Sequence, residues 1–194
     1  MEKHVKLKDD SQVLIRETTR EDLAASLAFF ESLAEEDLAY LRRDVTQHEV
    51  VEQRIREVES GTARRLVAVV DDEIVADGTL ELSGEQWKKH VGELRLIIAP
   101  SYRRRGLGIR MARELFLLAA SVRVEEVLVR MMRPQKAARS IFRKLGFRQE
   151  IVLPDYVRDQ SGTKQDMILM RCDLEALWGE MEDLVAIGDW QRTQ

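Results

Sequence analysis

Between Glu93 and Val129 the sequence sets out a strand, a basic glycine-punctuated turn, a helix and a second strand. Glu93-Leu94-Arg95-Leu96-Ile97-Ile98 reads as a strand stopped by Pro100. Leu107, Met111, Leu115 and Leu118 recur at helical spacing, and Val127-Leu128-Val129 is the next strand. A strand, a helix and a strand in this order require a crossover and hence a parallel strand pair. That single unit excludes an all-β or all-helical fold and makes the chain a mixed α/β protein.

The rest of the chain agrees. Val13-Leu14-Ile15 is a short first strand. Thr18 with Glu21, and Thr46 with Glu49, are capping-box patterns that open two helices. The first runs to about Ala34; the second has Val51, Ile55 and Val58 on its apolar face. After Gly61 the period changes: Leu66 to Val70 and Glu73 to Leu82 flank the turn Asp71-Asp72, an antiparallel hairpin. Pro134 suits the first turn of a further helix, with Ala138, Ile141, Phe142 and Leu145 inward and Gly146 as its C-terminal cap. Phe147 to Ile151 and Gln165 to Cys172 are two more strands. A final helix over 174–190 carries Leu174, Leu177, Trp178, Met181, Leu184 and Val185 on one stripe. That stripe folds back on its own sheet or pairs with a second copy, and a homodimer is the expectation.

Nothing in the sequence marks an internal boundary, so residues 1–194 are expected to form one domain, with a core over about 13–173. The net charge of −4, from 31 basic against 35 acidic side chains, argues against a surface built for nucleic acid. The single cysteine, Cys172, allows no internal disulfide, and with only His4, His48 and His90 no metal site is expected. The polar start and the lack of a long apolar run point to a cytoplasmic protein with no membrane partner.

The chemistry lies in Arg103-Arg104-Arg105-Gly106-Leu107-Gly108. A helix N-terminus offers unpaired N–H groups and partial positive charge, both suited to a pyrophosphate. Glycines at 106 and 108 let the backbone approach the phosphates, and three arginines add donor forks. A dinucleotide fingerprint would need a third glycine where Met111 stands.

The stretch resembles the acetyl-coenzyme A motif of the GNAT (GCN5-related N-acetyltransferase) superfamily, Gln/Arg-x-x-Gly-x-Gly/Ala, through Arg103, Gly106 and Gly108. Pro100 and Tyr102 match the family's lead-in, and Ala138, Phe142 and Gly146-Phe147 match its later Ala-x-x-x-Tyr-x-x-x-Gly-Phe element. The resemblance implies an acyl-CoA N-acyltransferase-like fold with a mixed, mostly antiparallel sheet between helices. It implies direct transfer of an acetyl group from acetyl-CoA to a primary amine. Backbone amides of Arg104 to Gly108 would hold the pyrophosphate; Leu96, Ile97 and Ile98 would pair with the pantetheine arm and polarise the thioester. Glu93 is the implied base, its pKa raised by burial, with His90 as a second candidate. The usual helix tyrosine is Phe142 and the usual asparagine Gln135, both expected against the cofactor arm. Without that tyrosine, the leaving thiolate is protonated by Tyr156, by Tyr102 or by water, or the chain is a weak or non-catalytic acetyl-CoA-binding module. The acidic run Glu35-Glu36-Asp37 is a candidate attractor for a cationic acceptor.

Overall fold

The computed structural model describes residues 2–159 and 161–176. One eight-stranded sheet runs through it, with strands β1 (Glu2–Lys6), β2 (Gln12–Glu17), β3 (Ala63–Val70), β4 (Glu73–Leu82), β5 (Val91–Ile98), β6 (Glu126–Met132), β7 (Gln149–Arg158) and β8 (Lys164–Asp173). Their spatial order is β1-β2-β3-β4-β5-β6-β8-β7. Every neighbouring pair is antiparallel except β5 and β6, the pair joined by the crossover. Helices α1 (Leu23–Glu31), α2 (Glu35–Leu38) and α3 (His48–Glu59) lie between β2 and β3 in the chain. Helix α4 (Leu107–Ser121) makes the crossover, and α5 (Lys136–Lys144) follows β6. The C-terminal helix expected over 174–190, and the dimer role given to it, lie outside the described residues from 177 onward.

Strand β1 was not foreseen, because Glu2–Lys6 is polar and buries only Val5. The β3–β4 hairpin turns through Asp71 and Asp72 at φ 49° and 64°. A two-residue turn with both residues left-handed matches the twist of the strands it joins. The caps differ from expectation by one position. The Asp22 carboxylate, not Glu21, accepts the amide of Thr19 at 2.7 Å. Thr46 donates its hydroxyl to Asp44 at 2.5 Å instead of pairing with Glu49, and Gln47 precedes α3. Pro134 stands just ahead of the α5 N-cap Gln135, outside the first turn.

The two faces of the sheet differ. Helix α4 seals one face with Leu107, Met111 and Leu115, all fully buried against Leu66, Leu80 and Leu94. Gly78 permits this closeness: a Cβ there would come within 2.8 Å of Leu115 Cδ1. On the other face, Phe29 and Phe30 of α1 and Val51 of α3 pack on Val67 and Ile74. Toward β5 and β6 that second face turns polar, and there the site opens.

Candidate active site

Strands β5 and β6 are paired only where Val91, Gly92 and Glu93 meet Glu126, Val127 and Leu128. Beyond Glu93 the two strands continue, to Ile98 and Met132, without pairing. They form a wedge with its apex at Glu93. The β5 edge that faces the wedge therefore carries backbone donors and acceptors with no strand partner, a template for an extended ligand. The cavity in the wedge encloses about 90 Å³. That is small beside the several hundred Å³ of an ordinary ligand pocket, so a long ligand must lie along a slot open to solvent. Leu96, Ile97, Gln135, Ala138 and Phe142 line it. The Gln135 carboxamide oxygen accepts the Met132 amide at 2.7 Å and so fixes the end of β6. Phe142 is buried edge-on to Phe147, with ring centroids 5.1 Å apart.

Ile98, at the open end of the wedge, leads through Pro100 into the turn that starts α4. Gly106 is the N-cap of that helix at φ 93°, and Arg104 is also left-handed at φ 62°. Two positive-φ residues in three turn the chain sharply, so that successive amides point outward as an anion-binding nest. Among the described residues, the amides of Arg104, Arg105, Gly106, Leu107 and Gly108 donate to no protein acceptor. Five donors at a helix start are a ready site for a polyanion.

The arginines of the turn are not three equal phosphate donors. Arg103 pairs with Asp37 at 2.7 Å and donates Nε to the Ile98 carbonyl at 3.1 Å. Arg105 pairs with Asp9 at 3.0 Å and lies over the Tyr102 ring. Arg104 alone of the three has no ion-pair partner among the described residues. Gly108 serves packing more than approach: a Cβ there would sit 2.8 Å from Ile141 Cδ1 and 2.9 Å from Ile98 Cδ1. It lets α4, α5 and β5 close together at the slot.

Glu93 does not have the raised pKa expected of a buried base. It is 8% exposed, and burial alone would push its pKa up. Hydrogen bonds and charge from Arg130 and Arg42 outweigh that and hold it below the usual carboxylate range. Arg130 Nε donates to Glu93 Oε1 at 3.0 Å, its second donor reaches Oε2, and Arg42 caps Oε1. These three arginine–glutamate contacts tie the apex of the wedge to the loop between α2 and α3.

His90 is exposed and sits on the paired side of the apex, away from the slot. Tyr156 stands on β7, at the sheet edge where the register with β8 shifts. It is 65% exposed. Of the acidic run Glu35 to Asp37, Asp37 is occupied by Arg103 of the turn. Sequence reasoning missed Arg42, Arg95 and Arg130, which line the slot. For Arg95 and Arg130 the signal available was a charged residue at alternate positions within apolar strands, a pattern that ordinarily marks a solvent face; Arg42, on a loop, gave none. Cys172 is buried at the end of β8.

Residues 62–149 match the model of the acetyltransferase (GNAT) domain. The fold is shared with many solved structures. Ribosomal-protein-alanine N-acetyltransferase from Brucella melitensis is 23% identical with a TM-score of 0.73, over 82% of this chain and 98% of the other. The yncA protein from Salmonella typhimurium, solved with its cofactor acetyl-CoA, is 16% identical with a TM-score of 0.74, over 84% and 95%. RimJ from Mycobacterium smegmatis, in complex with CoA-disulfide, is 17% identical with a TM-score of 0.74, over 91% and 88%. A comparison with curated protein sequences gives no match. In this chain a crossover helix with free N-terminal amides stands beside a strand pair that parts at a carboxylate. Residues 62–149 are similar to the acetyltransferase (GNAT) domain, and the fold as a whole is similar to that of solved GNAT-family structures.

Proposed function

We propose that this chain transfers the acetyl group of acetyl-CoA directly to a primary amine. The observation that carries the reading is the continuity of the wedge with the free amides of Arg104 to Gly108. A diphosphate on those amides, aided by Arg104, places the attached arm at the open end of the slot. From Ile98 to Glu93 the strand offers roughly 16 Å of unpaired edge, at about 3.3 Å per residue. Leu96, Ile97 and Ile98 would hold the arm by backbone hydrogen bonds, and a β5 amide would polarise the thioester oxygen. Gln135 and Phe142 form the opposite wall.

Proton transfer is then assigned differently from the family pattern. With its pKa lowered by two arginines, Glu93 is a weak base, and its role is to fix Arg42 and Arg130 at the apex. The ammonium proton leaves to water through the open slot. Phe142 has no hydroxyl, so the thiolate takes its proton from water or from the Tyr156 phenol.

Calorimetric titration with acetyl-CoA, followed by a thiol-release assay over an amine panel, tests the reading. Binding with amine-dependent thiol release is the expected result. Absence of binding overturns it, and binding without release to any amine leaves a non-catalytic acetyl-CoA module. Glu93→Gln is expected to retain measurable turnover with an unchanged acidic limb of its pH–rate profile; loss of that limb would return the base role to Glu93.

A further inference from the structure

The wall of the cavity carries an excess of positive charge. Arg42, Arg43, Arg54, Arg65, Arg95 and Arg130 all contribute to its wall. Their carboxylate partners are Glu57, Asp77, Glu81 and Glu93, so six guanidinium groups face four carboxylates. Two of the acids are shared: Glu93 serves Arg42 and Arg130, and Glu57 serves Arg43 and Arg65.

The shortage of negative charge shows in the hydrogen bonding. Arg95 donates one terminal nitrogen to Glu81 at 2.6 Å, but its Nε is buried with no hydrogen-bond partner among the described residues. Glu93 Oε1 is 4.0 Å from that Nε, already taken by the other two arginines. A buried donor left unsatisfied carries a desolvation cost that a ligand acceptor would remove. The guanidinium groups also depress one another: Arg65 is pushed down to about 10 by burial and by Arg54, and Arg95 is lowered by burial and by Arg42.

The positions suit a small ligand. Arg42 comes from the loop between α2 and α3, Arg95 from β5 and Arg130 from β6, so three elements converge where the wedge closes. Arg42 and Arg130 are partly exposed there, and both can turn a donor toward an incoming group. A planar carboxylate matches the guanidinium fork and accepts from two donors at once. A free ammonium arriving alone would meet a net positive wall whose carboxylates are already paired with arginines.

We propose that the acceptor is a small amine that itself carries a carboxylate, an amino acid in the broad sense, with the carboxylate held by Arg42, Arg95 and Arg130. This rests on the acetyl-transfer reading and narrows it. The carboxylate supplies the missing negative charge and docks at the apex. The amine is left to face the thioester on the slot side.

The experiment measures kcat/KM by thiol release for α-, β- and γ-amino acids and for the matching carboxamides, decarboxylated amines and aminoalkyl phosphates. Acetyl-CoA binding is followed in parallel by calorimetry. Free acids are expected to exceed their carboxamides by about 100-fold, the scale of losing one partner of a desolvated charge pair. Arg42→Gln, on a loop and outside the sheet, is expected to cut that preference about tenfold through KM, with Arg42→Lys recovering part of it. Arg95→Gln supplies a second variant, and thermal unfolding checks that each folds. Equal use of acids and carboxamides, a preference for phosphates or simple amines, or no turnover of either series despite acetyl-CoA binding overturns the carboxylate proposal alone. A preference unchanged in both variants removes the arginines as its cause. Loss of acetyl-CoA binding by the wild type overturns the acetyl-transfer reading and this proposal with it.

Discussion

On the face covered by α4 the sheet presents leucine, valine, methionine and glycine, whereas under α3 and the α2–α3 loop it presents Arg65, Asp77, Thr79, Glu93 and Arg95 from the same three strands. Both surfaces are closely covered. Alternation along β3, β4 and β5 sends Leu66, Leu80 and Leu94 one way and their charged neighbours the other. On the apolar side each contact contributes through area removed from water, about 2 kcal/mol for a fully buried leucine. On the polar side the gain from each ion pair is offset by desolvation, and replacing such a pair with apolar side chains is often neutral. The contrast teaches that the α4 face holds the fold together while the other face holds charges in position. A fold under no other demand has no need to bury Arg54, Arg65, Asp77 and Glu93 in one layer.

The largest effect that tests this division is a cavity under α4. Leu115→Ala is expected to lower unfolding free energy by about 3 kcal/mol, since Leu115 is fully buried over Gly78. Urea denaturation measures it; a loss below about 1 kcal/mol would mean that α4 is not the principal packing element. Next in size is the buried pair Arg54–Asp77. Asp77→Val alone is expected to cost about 3 kcal/mol, because a buried guanidinium loses its partner while Arg65 stands close by. The double variant Arg54→Met with Asp77→Val is expected to regain most of that. A double variant no better than the single one would mean that the polar layer stabilises the fold after all.

The α4 face was also the more legible in the sequence. Leu107, Met111, Leu115 and Leu118 reveal their helix by spacing alone, and apolar β5 ahead of Pro100 reveals the crossover. The turn was legible because Gly106 and Gly108 stand at a strand–helix junction. Their separate reasons were not: Gly106 needs its positive φ, while Gly108 is required by Ile98 and Ile141, which meet it only in three dimensions. The polar layer was hidden for the same kind of reason. Arg42, Glu93 and Arg130 lie far apart in the chain and pair only once strand register and the α2–α3 loop are set. Glu93 could be singled out by its place on the strand, but the sign of its pKa shift could not, since burial and arginine contacts pull in opposite directions. Strand β1 stayed hidden because an edge strand that buries one side chain has almost no apolar pattern.

A smaller effect separates the two faces by pH. The arginines lower the folded-state pKa of Glu93 below its unfolded value, so the carboxylate contributes stability above the ordinary carboxylate range. That contribution is lost as pH falls through the folded value. Glu93→Gln is expected to cost about 2 kcal/mol at pH 7, at the lower end for a buried pair because Arg42 and Arg130 are partly exposed. The difference from wild type should shrink steadily below about pH 4. Leu115→Ala should show no such convergence. Urea midpoints for both variants from neutral to acid pH give the comparison, and parallel profiles would mean that Glu93 is not held by its arginines in solution.

The smallest effect lies at the turn, where binding can be changed without touching either face. Arg104 has no ion-pair partner among the described residues, unlike Arg103 and Arg105, so its side chain contributes nothing to the turn that Arg104→Gln would remove. Gln keeps the same left-handed backbone requirement at φ 62°, which leaves local strain as it was. Stability should therefore move by less than about 0.5 kcal/mol. Acetyl-CoA affinity should fall about threefold to tenfold, the scale of one exposed charge-assisted contact, and its dependence on salt should weaken. Arg103→Gln offers the contrast: it frees Asp37 and the Ile98 carbonyl, so it should disturb the turn as well as the ligand. If the two variants lose affinity equally with no difference in thermal stability, the assignment of Arg103 to structure and Arg104 to the phosphates is wrong, and the backbone amides alone would be left to define the anion site.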